Sequence, residues 1–168
     1  KDLLFKIVNT WPDNKFVLYR LASYYKSKEQ HQKSLKIYKK ILDHYNSNDR
    51  DLFLYAANLD KIGKWKEARV LFLQLLKKNP QDTFTLNYVS YKLALKNQEL
   101  ELALDLIKKA LVLDPNNGYF LDTLGWVEYK RNNFDTAVYF LEQSVSILPR
   151  SAEVIDHLGD CYFKLNRK

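Results

Sequence analysis

The chain has 168 residues, a net charge of +7 and a hydrophobic content of 46%, which is enough to bury a core and excludes a disordered chain. Glycine and proline number only four each, which favours helices over a β fold with many turns. The single cysteine cannot form an intramolecular disulfide, and no apolar run approaches the roughly 20 residues of a membrane-spanning helix.

Apolar residues recur at helical spacing in successive segments, most of which end near a proline. The first segment carries the second half of a helical hairpin, and the last carries a first helix only. Between them, each segment carries two helices joined by a polar turn. The segments leave no linker, so we expect a single domain over 1–168. In chain order they are 1–14, 15–48, 49–82, 83–117, 118–151 and 152–168.

The segment 118–151 shows the hairpin pattern clearly. In its first half, Gly125 and the apolar residues around it share one helix face, at spacings of three and four. Its second half carries Ala137, and Pro149 prevents the helix from continuing. Because two helices approach closely only where the facing side chains are small, we expect Gly125 and Ala137 to mark a close helix crossing.

These small residues and the closing proline resemble the tetratricopeptide repeat (TPR), a helix-turn-helix of about 34 residues. Leu121 and Leu141 stand where the family usually has Trp and Phe, and Glu128 stands where it prefers Tyr. The resemblance implies an all-α fold, a right-handed α-solenoid of stacked repeats with about nine helices, since each repeat buries its apolar face against its neighbours.

A narrower resemblance covers residues 83–168. The runs 86–88, 121–126 and 156–160 are similar to the C-terminal repeats of bacterial envelope-associated TPR proteins that act as adaptors. This resemblance implies a location at the bacterial envelope, facing the periplasm. Without it, the cytoplasm is the expected location.

Sequence motifs for catalysis are absent, and the three histidines do not stand at metal-ligand spacing. We therefore predict no enzyme activity, no catalytic residue, no metal site and no cofactor. We interpret His157 as part of a hydrogen bond between repeats, and Cys161 as a small core residue. Glu128 should reach solvent or pair with Lys130 or Arg131, because an unpaired buried charge is costly.

The TPR resemblance implies that recurring positions on the first helix of each repeat line a concave groove. Aromatic side chains gather at these positions, together with amide and carboxylate groups toward the C-terminal end. Exposed apolar surface of this kind marks a binding site, so we predict a groove for a partner peptide or helix that is apolar or aromatic and carries Lys or Arg. The predicted groove residues are Tyr19, Phe53, Phe84, Asn87, Tyr91, Tyr119, Asp122, Trp126, Tyr129, Asp156 and Asp160.

Other partners are less well supported by the sequence. Some TPR proteins bind a chaperone's C-terminal carboxylate through Lys and Asn, but here the corresponding positions carry residues such as Tyr19 and Ser23. The positive charge concentrates in 15–48, on the second helix, which the resemblance places on the convex outside. We interpret it as a solvated face, and a nucleic-acid adaptor is the weakest alternative.

A second alternative is self-assembly through the ends of the solenoid. The last segment carries apolar residues around most of its helix, whereas a terminal capping helix normally turns a polar face outward. We expect the native protein to continue beyond these residues. The apolar ends would otherwise form the interface of a homo-oligomer.

Overall fold

The computed structural model describes residues 2–166 and shows only α-helices among them. The predicted all-α class is confirmed, but the described residues form ten helices rather than nine. The count from sequence was one too low, because four hairpins with one further helix at each end make ten. The helices are α1 (Asp2–Thr10), α2 (Lys15–Ser27), α3 (His31–His44), α4 (Asp49–Lys61), α5 (Trp65–Lys78), α6 (Thr83–Leu95), α7 (Leu100–Leu113), α8 (Gly118–Lys130), α9 (Phe134–Ile147) and α10 (Ala152–Lys164).

The chain divides into two compact units between Lys78 and Asn79. In unit 1, α1 packs on α2, and the hairpins α2–α3 and α4–α5 pack through α3 and α4. In unit 2, the hairpins α6–α7 and α8–α9 are followed by α10. There α8 contacts both α6 and α10, while α7 packs on α8 and α9 packs on α10. The first helices of unit 2 are therefore direct neighbours.

Side-chain caps define where several helices begin. Asn14 accepts a hydrogen bond from the backbone N–H of Val17, and Asn48 forms a reciprocal capping box with Asp51. The turn inside a hairpin needs a residue in the left-handed region, which Asn132 supplies between α8 and α9 with φ of 64°. The longer segment 83–117 has two such residues in its turn.

Within unit 2, the helices α8 and α9 of one hairpin approach closely at Gly125. A Cβ atom added at Gly125 would lie 2.5 Å from Leu141 Cγ and 3.1 Å from the carbonyl oxygen of Ala137. The predicted close crossing is therefore present. Cys161 is fully buried in the adjoining cluster, as expected of a core residue. Burial, with a contribution from Asp160, raises the pKa of the Cys161 thiol to about 12, so it stays protonated at neutral pH.

Glu128 is buried on α8 and finds the cation that the sequence led us to expect. Its Oε2 accepts hydrogen bonds from Arg131 Nη1 at 2.8 Å and from Asn133 Nδ2 at 2.7 Å. The same guanidinium bonds the Glu101 carboxylate on α7 through Nε and Nη2. Arg131 therefore joins two carboxylates from adjacent hairpins.

Replacing Glu128 by leucine is expected to change the free energy of unfolding by less than about 1 kcal/mol. Arg131 would keep Glu101 as a partner, and leucine would add apolar burial. Urea denaturation followed by circular dichroism measures the change. Arg131→Leu is the comparison, because it leaves a buried carboxylate without its cation and should cost about 2 kcal/mol. Equal losses for the two variants would contradict this account of the pair.

Candidate functional site

The predicted groove positions of α6, α8 and α10 form one surface of unit 2, because these helices are neighbours. We call this surface the first-helix wall. The predicted residues on it are Phe84, Asn87 and Tyr91 on α6, Tyr119, Asp122, Trp126 and Tyr129 on α8, and Asp156 and Asp160 on α10. The structure adds Glu153 and His157 of α10, which contact Tyr91 and Trp126.

Tyr91 and Glu153 join α6 to α10 over the intervening helix. The Tyr91 hydroxyl donates a hydrogen bond to Glu153 Oε1, and the Tyr91 ring centroid lies 6.1 Å from that of His157. Burial raises the pKa of Tyr91 well above its usual value, and the bond to Glu153 raises it further. The phenol therefore stays protonated and remains a donor. This contact was not predicted from the sequence.

His157 on α10 also bonds Asp122 on α8. His157 Nδ1 lies 2.8 Å from Asp122 Oδ1, and both side chains are buried. A carboxylate can only accept, so Nδ1 carries the proton. The interpretation of His157 as a hydrogen-bonding residue between repeats is confirmed.

Trp126 lies in a stack of aromatic rings. Its ring is nearly parallel to that of His157 at 4.0 Å and to that of Tyr129 at 4.7 Å. Lys130 Nζ lies 4.5 Å from the Trp126 ring centroid, within cation–π range. Among the described residues, the buried Trp126 Nε1 and the buried Asn87 Oδ1 have no hydrogen-bond partner.

Burial divides the predicted groove residues of unit 2 into two groups. Asp122 and Trp126 are each only 6% exposed, which corrects the expectation that they present charge and aromatic surface to a ligand. A neighbouring helix covers both. Phe84 and Tyr119 are 79% and 61% exposed. Asp156 and Asp160 are also exposed, while Asn87, Tyr91 and Tyr129 are half-buried.

In unit 1, the predicted groove residues make contacts within the hairpins and between them. The Tyr19 hydroxyl on α2 donates to the fully buried Asp51 carboxylate on α4, which also pairs with Lys15 Nζ at 2.9 Å. The Phe53 ring packs edge-on against Phe72 at 5.3 Å. Asp51 was not singled out in the sequence, although a capping residue followed three positions later by an acid is the signal of a capping box.

Two other kinds of site are absent from the part of the chain that the structure describes. None of its helices is long and apolar enough to cross a membrane. No group of three or more histidine, cysteine or carboxylate residues between 2 and 166 could hold a metal ion. The first-helix wall of unit 2 is the candidate site, and the chemistry it offers is aromatic contact, hydrogen bonding and negative charge.

Comparison with known proteins identifies the repeat type. Residues 52–82 match the family model of the tetratricopeptide repeat. A TPR repeat-containing protein of Pseudomonas aeruginosa is 25% identical over 150 residues, which cover 89% of this chain and 25% of that protein. The chain thus spans about a quarter of the length of that relative. The predicted resemblance to tetratricopeptide repeats, with bacterial proteins among the relatives, is confirmed.

Solved structures of TPR proteins share the fold. A thermophilic TPR protein from Thermus thermophilus superposes with a TM-score of 0.78 at 20% identity, covering 92% of this chain and 84% of that chain. YrrB, a TPR protein with an unusual peptide-binding site, superposes with a TM-score of 0.68 at 18% identity, covering 91% of this chain and 78% of that chain. At these identities the likeness shows the fold, the α-solenoid class, and nothing about the partner.

Proposed function

We propose that this chain, in which residues 52–82 match the tetratricopeptide repeat, is a non-catalytic scaffold that binds a partner peptide or helix on the first-helix wall of unit 2. Repeat proteins of this kind generally present extended surfaces to other proteins. The peptide-binding site named for YrrB supports a peptide ligand on this fold. We further propose that residues 1–168 form a single domain divided at the predicted repeat boundaries.

The observation that carries this proposal is the exposure of two large aromatic side chains on neighbouring helices. Phe84 and Tyr119 are 79% and 61% exposed, and they occupy the same repeat position on α6 and α8. Aromatic side chains lose little conformational entropy on binding and are enriched among the residues that dominate binding energy. They offer a partner an apolar surface that the chain itself does not cover.

The polar groups beside these rings indicate the chemistry of the ligand. Asp156 and Asp160 are exposed on α10, and Glu153 lies on the same helix. Asn87 Oδ1 is a buried acceptor without a partner among the described residues, and a small movement of its half-buried side chain would let it accept from a peptide N–H. A segment with an apolar or aromatic residue and a Lys or Arg would satisfy these groups.

A selection experiment tests the proposal. Random dodecapeptides displayed on phage and selected against residues 1–168 should be enriched in aromatic residues and in Lys or Arg. For a selected peptide, Phe84→Ala and Tyr119→Ala should each cost about 2 kcal/mol of binding, a loss of about 30-fold in affinity. Trp126→Ala is unsuitable, because it would also empty a buried stack.

Two further sets of variants sharpen that experiment. Asp156→Asn and Asp160→Asn should slow association and flatten its dependence on salt, because exposed charges act mainly on the encounter of the partners. Lys36→Ala combined with Lys39→Ala on α3 is the control and should leave affinity unchanged. If this pair abolishes peptide binding while Phe84→Ala leaves it intact, the first-helix wall is not the site.

A further inference from the structure

A second cleft of unit 2, which shares Tyr129 with the first-helix wall, lies where the turns of two hairpins meet the ends of α8 and α10. Its volume is about 310 Å³, at the lower end of the range for ligand sites. It therefore suits a side chain or a short segment rather than a large cofactor. The lining residues are Asn97, Tyr129, Lys130, Asn132, Phe134 and Lys164.

The charge of this cleft differs from that of two others in the described chain. One of those is lined by Lys40 and Asp13, which are 2.7 Å apart, and the other by Lys78 and Asp49, which are 2.6 Å apart. Each of these lysines is therefore already neutralised by a carboxylate of its own cleft. In the cleft of unit 2 the lining residues supply two ammonium groups and no carboxylate. Over residues 2–166, neither of these lysines forms an ion pair.

The remaining lining groups are hydrogen-bond donors and aromatic rings. Asn97 and Asn132 lie in the hairpin turns with φ of 51° and 64°, and their side-chain amides have no hydrogen-bond partner within the described part of the chain. The rings of Tyr129 and Phe134 pack edge to face, with their centroids 5.4 Å apart. Lys130 Nζ lies 5.5 Å from the Tyr129 ring centroid. This cation–π contact holds the ammonium group close to the two rings.

We propose that this cleft binds the carboxylate of a Glu or Asp side chain in a partner peptide, with an adjacent apolar residue against Tyr129 and Phe134. The carboxylate pairs with the two ammonium groups and accepts hydrogen bonds from the asparagine amides. The carbonyl ends of α8 and α10, together with Asp160 near Tyr129, oppose this charge in part. The cleft therefore binds a carboxylate only weakly by itself, and its effect is to select partners that carry one. Binding in this cleft does not require a ligand on the first-helix wall.

Two capped dipeptides test this proposal on residues 1–168, with amide chemical shifts measured by NMR at constant ionic strength. Acetyl-Phe-Glu-amide should shift amides near residues 97, 132 and 164, and acetyl-Phe-Gln-amide should bind at least about 5-fold more weakly, since it lacks the charge. Equal shifts from both peptides, or shifts confined to other parts of the chain, would overturn the proposal.

Variants of the lining residues give an independent test. Lys164→Gln and Lys130→Gln should each weaken the Glu peptide about 3-fold, within the range of exposed ion pairs. Asn132→Asp places a carboxylate in the cleft and keeps a residue type that tolerates positive φ. This variant should weaken binding of the Glu peptide about 5-fold or more. Lys109→Gln, an exposed lysine on α7, is the matched control and should have no effect. If Lys109→Gln lowers the affinity for the Glu peptide as much as Lys164→Gln does, the attraction is non-specific and the assignment is overturned.

Discussion

Gly125→Leu is expected to lower the free energy of unfolding by about 3 kcal/mol or more, and Gly125→Ala by about 1 to 3 kcal/mol. A Cβ atom at this position would lie 2.5 Å from Leu141 Cγ and 3.1 Å from the backbone oxygen of Ala137. Leu141 is itself fully buried, so it has little room to move. The helices α8 and α9 would have to separate, with loss of packing along their contact.

Gly159 provides a matched control for this prediction. It occupies the same repeat position on α10, but a Cβ atom built there meets nothing within 4 Å. Alanine has a higher helix propensity than glycine, so Gly159→Ala should raise the free energy of unfolding by about 1 kcal/mol. Urea denaturation followed by circular dichroism compares the variants. If both alanine variants shift the midpoint in the same direction, close packing is not what makes Gly125 necessary.

The contrast between these glycines shows what the sequence could and could not predict about the fold. Periodicity and a closing proline indicated both helices of the hairpin and the close crossing at Gly125, because these depend on residues near in sequence. The same pattern surrounds Gly159. Whether another helix packs against that position depends on what occupies the space beside α10, which spacing within one helix does not specify.

The candidate site shows a second limit of sequence reasoning. The pattern on α8 correctly grouped Asp122 and Trp126 on one face, yet the structure buries both. His157 on α10 bonds Asp122 and packs on Trp126, and Tyr91 on α6 packs beside the His157 ring. Helical periodicity predicts which residues share a face. It does not predict which of them long side chains from neighbouring repeats will cover.

The buried pair of Asp122 and His157 gives the second large prediction. Asp122→Ala is expected to lower the free energy of unfolding by about 3 kcal/mol, because the buried Nδ1–H loses its acceptor and a cavity opens beneath α10. Asp122→Asn should cost only about 1 kcal/mol, since an amide oxygen can still accept that hydrogen bond. The difference between these two variants isolates the hydrogen bond from the volume of the side chain.

Asp156→Ala is the control for Asp122→Ala, because Asp156 is an exposed carboxylate on α10 and its loss should change stability by less than about 0.5 kcal/mol. Urea denaturation measures global stability, and native-state hydrogen exchange of α10 amides shows where the loss falls. Since Asp122 connects α8 to α10 through His157, Asp122→Ala should speed exchange in α10 more than in α6 or α7. Uniform acceleration in all these helices, or an equal loss from Asp156→Ala, would mean that the pair does not hold α10 in place.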